Sequence, residues 1–511
     1  MLRAGRNLLR LTQIAWTLAR HDALFLLEGV GLGGLVLLAR PLRRHGAVPQ
    51  RPGERLAAAL HALGPSFIKL GQALSTRADL VGEEIARDLS SLQDRLPPFP
   101  AIEARAMIAR ELEAPLETLY RAFDDTPVAA ASIAQVHYAV TADGTEVAVK
   151  VLRPGIARAF ARDLDLFHWL ATLVERTQPQ LRRLKPVAVV ETFAQTVRQE
   201  MDLRFEAAAA SELRENLRDD PDFRVPAIDW RRTARQVLTI ERVSGIPIDE
   251  LEALIAANHD PRAILEKAAR AFFKQVFRDG FFHADLHPGN LFVTADGAIA
   301  AVDFGIMGRL DRKTRFYLAD MLVGFLSGNY RQVAEVHLAA GYVPRHHSLE
   351  AFAQACRSIG EPIFGRPLHE ISLARLLAQL FEVTEQFDME TQPQLLLLQK
   401  TMLIAEGVGR RLDPSVNMWA LARPLIEEWV RENRGPEARL VDFAGDVAAG
   451  LERLPALLRD LETVAAATVE RSRERRGVRG EIDAGARSNR GVIIPLWLAA
   501  LALLAIAAAL W

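Results

Sequence analysis

The sequence predicts an α+β fold in which a small antiparallel sheet separates two blocks of helices. The first observation is that residues 128–155 alternate in polarity, contain an Asp-Gly turn at 143–144 and end in the β-rich stretch EVAVKVL. The second is that apolar residues recur every three or four positions before and after this stretch, which indicates amphipathic helices. With 511 residues, the chain is long enough for two or three domains.

The composition excludes several classes of function. The net charge is −1, so no overall positive field attracts nucleic acid, and we expect no nucleic-acid partner. The single cysteine, Cys356, excludes a disulfide framework and a cysteine-based zinc site, and it fits a reducing compartment. Of the 63 basic residues, seven are lysines and 56 are arginines, so a lysine within a motif is informative here.

The N-terminal segment, residues 1–53, is rich in arginine and contains an apolar run at 24–39 that Glu28 interrupts. No small-residue cleavage motif follows the run, so it is not typical of a signal peptide. A membrane-surface helix and a packed core helix both remain open. GVGLGG (29–34) matches G-x-G-x-x-G, but the RPLRRHGAVPQRPG stretch after it cannot form the strand of a dinucleotide fold, which favours close helix packing over nucleotide binding.

The body of the chain divides into three predicted segments: a helical extension at 54–125, a sheet-containing lobe at 126–245 and a mostly helical lobe at 246–435. The break in the extension is LPPFP (96–100). In the first lobe we expect three antiparallel strands, a helical insert at 156–218 and a strand within 235–248. In the second lobe, short strands are expected around 280–305.

The C-terminal part is predicted to end in a transmembrane helix. Residues 436–490 are typical of a helical, arginine-rich linker, and residues 492–511 carry no charge over a length that crosses a bilayer core. Residues 471–490 hold seven arginines, two glutamates and one aspartate. By the positive-inside rule this side is cytoplasmic, so we expect a single-pass or tail-anchored protein whose catalytic body is cytoplasmic.

The stretch FFHADLHPGNLFV (281–293) contains the residues that indicate a chemistry. His283, Asp285 and His287 alternate along an extended segment, so a metal site is one interpretation, although no further ligand is evident nearby. Hydrogen-bonded core histidines are a second interpretation. The residues around this stretch favour a third.

Asp285 and Asn290 are five residues apart, and Asp303 in VDFG follows after a further 13. Lys150 lies upstream in VAVK, on a predicted strand. This order and spacing predicts a protein-kinase-like two-lobed fold that transfers phosphoryl groups. Asp285 would orient the attacking hydroxyl, and Asn290 and Asp303 would supply the oxygen ligands that Mg²⁺ prefers. Lys150 would bind the phosphates of ATP, and Glu206, which opens a predicted helix, is its candidate anionic partner.

Two features depart from ordinary protein kinases. Where a glycine-rich loop would cover the phosphates, this chain has AAAS (129–132), and alanine cannot reach the dihedral angles open to glycine. The motif KLGQ places Lys69 and Gln72 on one helix face, with Glu200 and Asp202 of QEMD as available partners. We expect this helix to roof the substrate side of the nucleotide cleft. A solvated surface helix is the alternative.

The alanine-rich loop, KLGQALSTRADL, QEMDLRFEAA, FFHADLHPGN and VDFG together resemble the UbiB/ABC1/ADCK atypical kinase family over residues 54–435. PQLLLLQKTMLIAEGVGR (393–410) is similar to the bacterial members of that family. The resemblance implies an ATPase or kinase-like protein that uses ATP and Mg²⁺ and is required for ubiquinone (coenzyme Q) biosynthesis. It implies action at the cell inner membrane, on or around polyprenylphenol precursors or the enzymes that handle them. Bacterial members usually end in two membrane spans, whereas this sequence has room for one.

The resemblance assigns roles to individual residues. Lys150, Glu206 and Asp285 match catalytic positions, and Asn290 and Asp303 match metal ligands. The regulatory motifs K-x-G-Q and E-x-D correspond to Lys69, Gly71, Gln72, Glu200 and Asp202. The nucleotide-binding stretch comprises Val128, Ala129, Ala130, Ala131, Ser132, Ile133, Ala134, Gln135 and Val136, together with Lys150.

Other functions remain open at the level of the sequence. One is a true kinase of a protein or of a small lipid-derived hydroxyl. Another is a polyprenylphenol hydroxylase or its accessory factor, which would need flavin or iron. The only fingerprint glycines are those of GVGLGG, and the only plausible iron ligands overlap the kinase-like stretch, so the sequence disfavours hydroxylase chemistry. A scaffold without catalysis is disfavoured because the set of lysine, two aspartates and asparagine is complete.

Overall fold

The computed structural model of this chain describes residues 2–25, 51–75, 81–90, 92, 96–177, 185–362, 379, 382–389, 392–415 and 418–434. The sequence predictions for GVGLGG (29–34), the linker at 436–490 and the transmembrane helix at 492–511 lie outside these residues. Within the described ranges, no helix is both long enough and apolar enough to cross a bilayer. By its internal contacts the chain separates into residues 1–430 and residues 431–511, and only 431–434 of the second part are described.

The N-terminal extension is helical, as predicted. Its helices are α1 (Leu2–Arg20), α2 (Pro52–Leu63), α3 (Pro65–Ser75), α4 (Glu83–Ser90), α5 (Ala101–Glu111) and α6 (Leu116–Leu119). The side chains of Leu60, Phe67 and Leu89 form the centre of its core. Gly71 is buried in α3, where an added Cβ would lie 2.8 Å from side-chain atoms of both Leu60 and Leu92. Any larger residue here would force these two leucine side chains to shift, so glycine allows the close packing.

The first sheet contains the predicted hairpin and one strand that the sequence analysis placed in a helix. Its strands are β1 (Tyr120–Phe123), β2 (Ala129–Ala130), β3 (Ala134–Thr141), β4 (Glu146–Leu152) and β6 (Val237–Glu241). They run in the order β1-β3-β4-β6, with β2 paired to β3, and every pairing is antiparallel. Gly144 takes a positive φ of 96° in the β3–β4 turn, which explains the Asp-Gly pair. The prediction of helix up to residue 125 is wrong at β1, because its partner strand β3 supplies hydrogen bonds that a local pattern does not show.

The helices that follow this sheet position one side of the site. They are α7 (Ile156–Thr177), α8 (Pro186–Glu200) and α9 (Leu203–Asn216). Helix α9 begins at Asp202, whose side chain accepts a hydrogen bond from the Arg204 amide, and Glu206 lies in its first turn. Leu203 and Ala207 of α9 pack in one core cluster with Leu152 at the end of β4, so helix and strand are held together.

The second lobe has two small sheets. One has the order β5-β10-β9-β7, formed by β5 (Phe223–Arg224), β10 (Ile299–Ala301), β9 (Leu291–Val293) and β7 (Ile246–Pro247). The other pairs β8 (Phe281–His283) with β11 (Met307–Arg309). The strand predicted within 235–248 is therefore two strands, one in each lobe, because β6 pairs with β4 whereas β7 pairs with β9.

Helices surround these sheets, as the pattern after residue 250 predicts. They are α10 (Leu251–Ala256), α11 (Pro261–Phe273), a π-helical turn (Lys274–Asp279), α12 (Arg312–Leu326), α13 (Tyr330–Ala340), α14 (Leu349–Gly360), α15 (Pro393–Leu412) and α16 (Met418–Arg434). Leu398 of α15 belongs to the same core cluster as Phe282 and Ala284. Helix α15 therefore packs directly behind the stretch that contains Asp285.

Candidate active site

Lys150 lies at the centre of the candidate site and contacts two carboxylates. Its Nζ lies 2.8 Å from Oε1 and 3.0 Å from Oε2 of Glu206, and 3.1 Å from Oδ1 of Asp303. The three residues come from β4, from the first turn of α9 and from the segment between β10 and β11. The structure thus brings the predicted lysine–glutamate pair together and adds Asp303 to it.

These three charges determine one another's ionisation. Burial opposes a charge on Lys150, but the carboxylates of Asp303 and Glu206 outweigh it and raise the pKa of Lys150. Burial raises the pKa of Glu206 to about 7, because the ammonium of Lys150 offsets only part of the lost hydration. Lost hydration would also raise the pKa of Asp303, but the ammonium groups of Lys150 and Lys69 lower it to about 2. At neutral pH, therefore, Lys150 and Asp303 are charged, and Glu206 binds a proton more readily than an exposed glutamate does.

The loop after β8 holds Asp285 and Asn290 in contact. The side-chain amide of Asn290 donates to Oδ2 of Asp285 (3.0 Å) and to its backbone carbonyl (3.1 Å). Because the amide nitrogen is used in this way, the amide oxygen of Asn290 is the atom that can bind a metal. The backbone carbonyl of Asn290 accepts from the amide of Val302, which directly precedes Asp303. Asn290 and Asp303 are therefore held at the same end of the paired strands β9 and β10.

His283 supports this loop and does not bind a metal. It is fully buried, and its Nδ1 accepts a hydrogen bond from the backbone amide of Asp285 (3.2 Å). Its Nε2 lies 3.3 Å from the carbonyl of Val302, so Nε2 carries the proton. Burial lowers the pKa of His283, which keeps the ring neutral. The ring connects the backbone of Asp285 to the segment that leads to Asp303.

The interpretation of His283, Asp285 and His287 as a metal site is wrong. His287 uses its Nδ1 to accept from the amide of Gly289 (3.2 Å), as a cap of the short 3₁₀ turn Pro288–Asn290. Its ring does not converge with His283 and Asp285 on one point. The interpretation of a buried, hydrogen-bonded histidine is confirmed for His283. One other set of side chains in the described ranges has metal-binding geometry, and it lies at the surface: His346, His347 and Asp388.

Asp303 has an unusual backbone conformation. Its φ is 62°, a left-handed value that non-glycine residues seldom adopt, and such values often mark functional sites. The Asp303 side chain remains 49 % exposed, so it is accessible to a ligand while it contacts Lys150. Together with the amide oxygen of Asn290, its carboxylate offers the oxygen donors that a hard divalent cation requires.

The predicted nucleotide-binding stretch forms a tight turn between β2 and β3. Ala129 and Ala130 pair with Val136 and Gln135, and the amide of Ala131 donates to the carbonyl of Ala134 (2.8 Å). The side chains of this stretch divide into two groups. The exposed or half-buried ones are those of Val128, Ala129, Ala130, Ala131 and Val136. The buried ones are those of Ser132, Ile133, Ala134 and Gln135, whose role in nucleotide binding stays a prediction.

The K-x-G-Q helix contacts the E-x-D segment, as expected. Nζ of Lys69 lies 3.1 Å from Oε2 of Glu200, and the two side chains are 13 % and 15 % exposed. Lys69 also contributes to the low pKa of Asp303, so it lies within electrostatic reach of the candidate metal ligand. Asp202 has a different role from the one expected: its carboxylate caps α9 and pairs with Arg204 at 2.7 Å. Gln72 is half-buried on the same helix.

Comparison with known families agrees with this geometry. The model for the ABC1 atypical kinase-like domain matches residues 91–337, and the model for the UbiB helical domain matches residues 356–417. A Marinobacter nauticus protein named "Probable protein kinase UbiB" is 46 % identical over 407 residues, which cover 79 % of this chain and 74 % of that protein. A protein of the same name from Xanthomonas campestris strain B100 is 44 % identical over 445 residues, covering 84 % of this chain and 80 % of that one.

The chain belongs to the UbiB family of ABC1 atypical kinases. A similar solved structure, titled the complex of Rv3197 with erythromycin from Mycobacterium tuberculosis, has 27 % identity and a TM-score of 0.50. The matched region covers 73 % of this chain and 95 % of the chain in that structure. The family supports the kinase-like α+β fold with a helical extension and a kinase type of enzyme, and it indicates a site for ATP with a metal.

Three residues near the UbiB-family site were not singled out from the sequence. Arg153 donates to the carbonyl of Ala131, and Phe99 is bound through its backbone by Gln135. The hydroxyl of Thr401 in α15 shares its one proton between the carbonyls of Ala284 (3.1 Å) and Leu397 (2.8 Å). Arg153 is one of 56 arginines, and only its position three residues after Lys150 distinguishes it. For Phe99 and Thr401, no local signal separates their roles from ordinary packing.

Proposed function

We propose that this protein is a Mg²⁺-dependent, kinase-like ATPase that serves ubiquinone biosynthesis at the membrane. The observation that carries the proposal is the contact of Lys150 with both Glu206 and Asp303 at 2.8 and 3.1 Å. In enzymes with this fold, the strand lysine must be paired with the helix glutamate before it can hold the phosphates in position. The pairing of Lys150 with Glu206 in this chain supports a site arranged for nucleotide.

The residues present fit a magnesium nucleotide. The carboxylate of Asp303 and the amide oxygen of Asn290 are hard oxygen donors, and they would hold the ion. When bound, Mg²⁺ supplies neutralising charge on the phosphate oxygens. Lys150 then binds the same phosphates, and Asp285, which Asn290 holds at 3.0 Å, orients the attacking oxygen and accepts its proton.

The ion pair between Lys69 and Glu200 bears on which group can accept the phosphoryl group. A protein kinase leaves an open shelf for a peptide beside the catalytic aspartate. Here the pair fixes helix α3 to the end of α8, and the charge of Lys69 reaches Asp303. This arrangement favours water or a slender lipid hydroxyl as the phosphoryl acceptor over a folded protein. Polyprenylphenol precursors of ubiquinone are acceptors or ligands of that shape.

Membrane association is part of the proposal, with the body of the chain in the cytoplasm and residues 492–511 as the anchor in the inner membrane. Helix α1 offers a second contact, since the sequence 2–20 contains four arginines and no acidic residue. On this helix Leu9 and Trp16 lie seven residues apart, hence on one face, and they are 74 % and 54 % exposed. An exposed tryptophan on a cationic helix is suited to the interface of an anionic bilayer.

Phosphate release from ATP by the purified full chain is the direct test. We expect turnover that requires Mg²⁺, is abolished by EDTA, and changes when a polyprenylphenol is supplied in detergent micelles. In cells whose own copy is deleted, the wild-type chain should restore ubiquinone, and the Asp285→Asn variant should not. Absence of nucleotide binding and turnover, or full restoration of ubiquinone by Asp285→Asn, would overturn the proposal.

Fractionation of cells that express the chain truncated after residue 490 tests the anchor. The truncated protein should still bind ATP and should leave the membrane in high salt, because only the charge-dependent contact of α1 remains. At low salt, replacing Leu9 and Trp16 by serine in the truncated chain should release the protein that α1 still holds at the membrane. Salt-resistant retention of the truncated chain would contradict the assignment of 492–511 as the anchor.

A further inference from the structure

The turn of the predicted nucleotide-binding stretch (129–134) is hydrogen-bonded by one arginine, Arg153. Nε and Nη2 of Arg153 both donate to the carbonyl of Ala131, at 3.0 and 2.8 Å. The backbone amide of Arg153 donates to the carbonyl of Ile133 at 2.8 Å. Two carbonyls of the turn are therefore bound by one residue. The guanidinium binds the Ala131 carbonyl through two donors, which its rigid, planar fork allows, and the backbone amide binds the Ile133 carbonyl.

Arg153 also positions the turn relative to Lys150, the proposed phosphate-binding lysine. It follows strand β4 directly, three residues after Lys150, and Lys150 lies opposite Val136 in the β3–β4 ladder. One end of the turn continues into β3, which pairs with β4, and the other end is hydrogen-bonded to Arg153 directly after β4. Both ends are therefore positioned relative to β4, the strand that contains Lys150. A nucleotide between the turn and Lys150 would be held in a gap that these contacts define.

A second layer of contacts braces the arginine and the turn. Nη2 of Arg153 reaches the carbonyl of Leu96 at 3.3 Å, and its guanidinium lies 5.7 Å from the ring centre of Phe99. Gln135 holds the backbone of Phe99 at both groups: its Oε1 accepts from the Phe99 amide (3.0 Å), and its Nε2 donates to the Phe99 carbonyl (3.2 Å). The LPPFP break (96–100) is thus fixed to both β3 and Arg153.

Gln135 is itself fixed by a buried histidine. Nδ1 of His137 lies 2.8 Å from the carbonyl of Asp124, which can only accept, so Nδ1 carries the proton. Nε2 of His137 must then accept from Nε2 of Gln135, at 2.8 Å. Both amide hydrogens of Gln135 and its oxygen are thereby satisfied in the interior. We call Leu96, Phe99, Gln135, His137 and Arg153 the loop clasp.

We propose that Arg153 is a positioning residue for nucleotide binding, which holds the turn 129–134 over Lys150, and that LPPFP (96–100) braces it through the loop clasp. The inference rests on the proposed function and deepens it. The loop clasp then contributes to the affinity for the nucleotide, whereas the residues around Asp285 carry out phosphoryl transfer. In ordinary kinases this loop is glycine-rich, whereas here a rigid alanine turn is fixed to the sheet, so its position must be set by such contacts.

The test compares Arg153→Lys with Arg158→Lys as a matched control. Lysine keeps the charge and the aliphatic stem but cannot donate two bonds to the Ala131 carbonyl, whereas Arg158 is an exposed arginine of the adjacent helix α7. A loss of one charge-assisted contact should raise the KM for ATP and the Kd for a fluorescent ATP analogue by about tenfold. The kcat should stay within about threefold of wild type, because the groups around Asp285 are unchanged.

Melting temperatures separate positioning from loss of fold. If Arg153→Lys does not fold, Phe99→Leu replaces it, since this change keeps the backbone bonds to Gln135 and removes only the ring beside the guanidinium. Phe99→Leu should raise the Kd by roughly two- to threefold, in line with a partly exposed cation–π contact. An unchanged Kd in the folded variants, a fall in kcat alone, or an equal effect in Arg158→Lys would overturn the inference. Failure of the wild-type chain to bind or hydrolyse ATP would instead overturn the proposed function.

Discussion

The ion pair between Lys69 and Glu200 makes a quantitative prediction about the roof of the cleft. At 3.1 Å, two unit charges in an effective dielectric of about 20 attract each other by roughly 5 kcal/mol before desolvation is counted. Both side chains are less than one-sixth exposed, at 13 % and 15 %, so desolvation removes a large part of this gain. We expect a residual coupling of about 1.5 kcal/mol, within the range that double-mutant cycles give for residues in contact.

The perturbation is to replace Lys69, Glu200 and then both by alanine, and the assay is phosphate release from ATP together with the melting temperature. Either single variant should release helix α3 from the end of α8 and accelerate turnover by about tenfold, the factor that corresponds to 1.4 kcal/mol. The double variant should be no faster than the faster single variant, because one contact accounts for both effects. Lys69→Ala should also raise the pKa of Asp303, since one of the two lysines that lower it is removed.

Lys267 provides a matched control. Its Nζ lies 3.1 Å from Oδ1 of Asp222, the same separation, and its side chain is 30 % exposed. Lys267→Ala should therefore leave ATP turnover at the wild-type value. The reasoning would be refuted if the two single variants were additive, if neither changed turnover, or if Lys267→Ala accelerated turnover equally. Phosphorylation of generic peptides by the unmutated protein would also refute it, because a roofed cleft should exclude them.

Three further predictions concern the site itself. Asp303→Asn should abolish Mg²⁺-dependent ATP binding in calorimetry, whereas Asp285→Asn should keep that binding and lower turnover by at least about 100-fold; wild-type turnover in Asp285→Asn would remove its catalytic role. Because the folded-state pKa of Glu206 is about 7 and its ordinary value is 4.5, the folded state holds this proton more tightly. Relative to Glu206→Gln, the contribution of Glu206 to the free energy of unfolding should therefore fall by at most about 3 kcal/mol as the pH rises from 4.5 to about 7, and then level off. A constant difference in melting temperature between the two proteins from pH 5 to 8 would contradict this. Thr401→Val should lower kcat by about three- to tenfold, because the loop before Asp285 loses a buried hydrogen bond, and Thr401→Ser should restore it; equal rates in all three proteins would show that the bond has no catalytic role.

The grouping of the candidate site residues could be predicted because it depends on their spacing along the chain. Asp285 and Asn290 share one loop, and Asp303 follows the next pair of strands, so their separation in sequence reflects a local path. Lys150 could be placed for the same reason, since an alternating stretch with an Asp-Gly turn predicts the β3–β4 hairpin. The start of α9 was also evident, and with it the place of Glu206. These predictions depended on periodicity and turn chemistry, which are local.

The supporting contacts could not be predicted, because they join residues that are far apart in the chain. Strand β1 was assigned to a helix, since its strand character comes from β3, and the split of β6 and β7 between two sheets follows from their partners. Of Glu200 and Asp202, both equally available to Lys69 in the sequence, the structure assigns Glu200 to the ion pair and Asp202 to a helix cap.

The loop clasp and the hydrogen bonds of His283 show the same limit at the level of single atoms. Whether His283 binds a metal or supports a backbone depends on which groups face its two nitrogens, and those groups come from Asp285 and from Val302, 19 residues away from it. Arg153 acquires its role because the turn at Ala131 folds back onto β4. The sequence by itself determined the fold class, the family resemblance and the residues suited to phosphoryl transfer. Only the tertiary structure decided their partners, because burial and hydrogen-bond geometry arise from packing of distant segments.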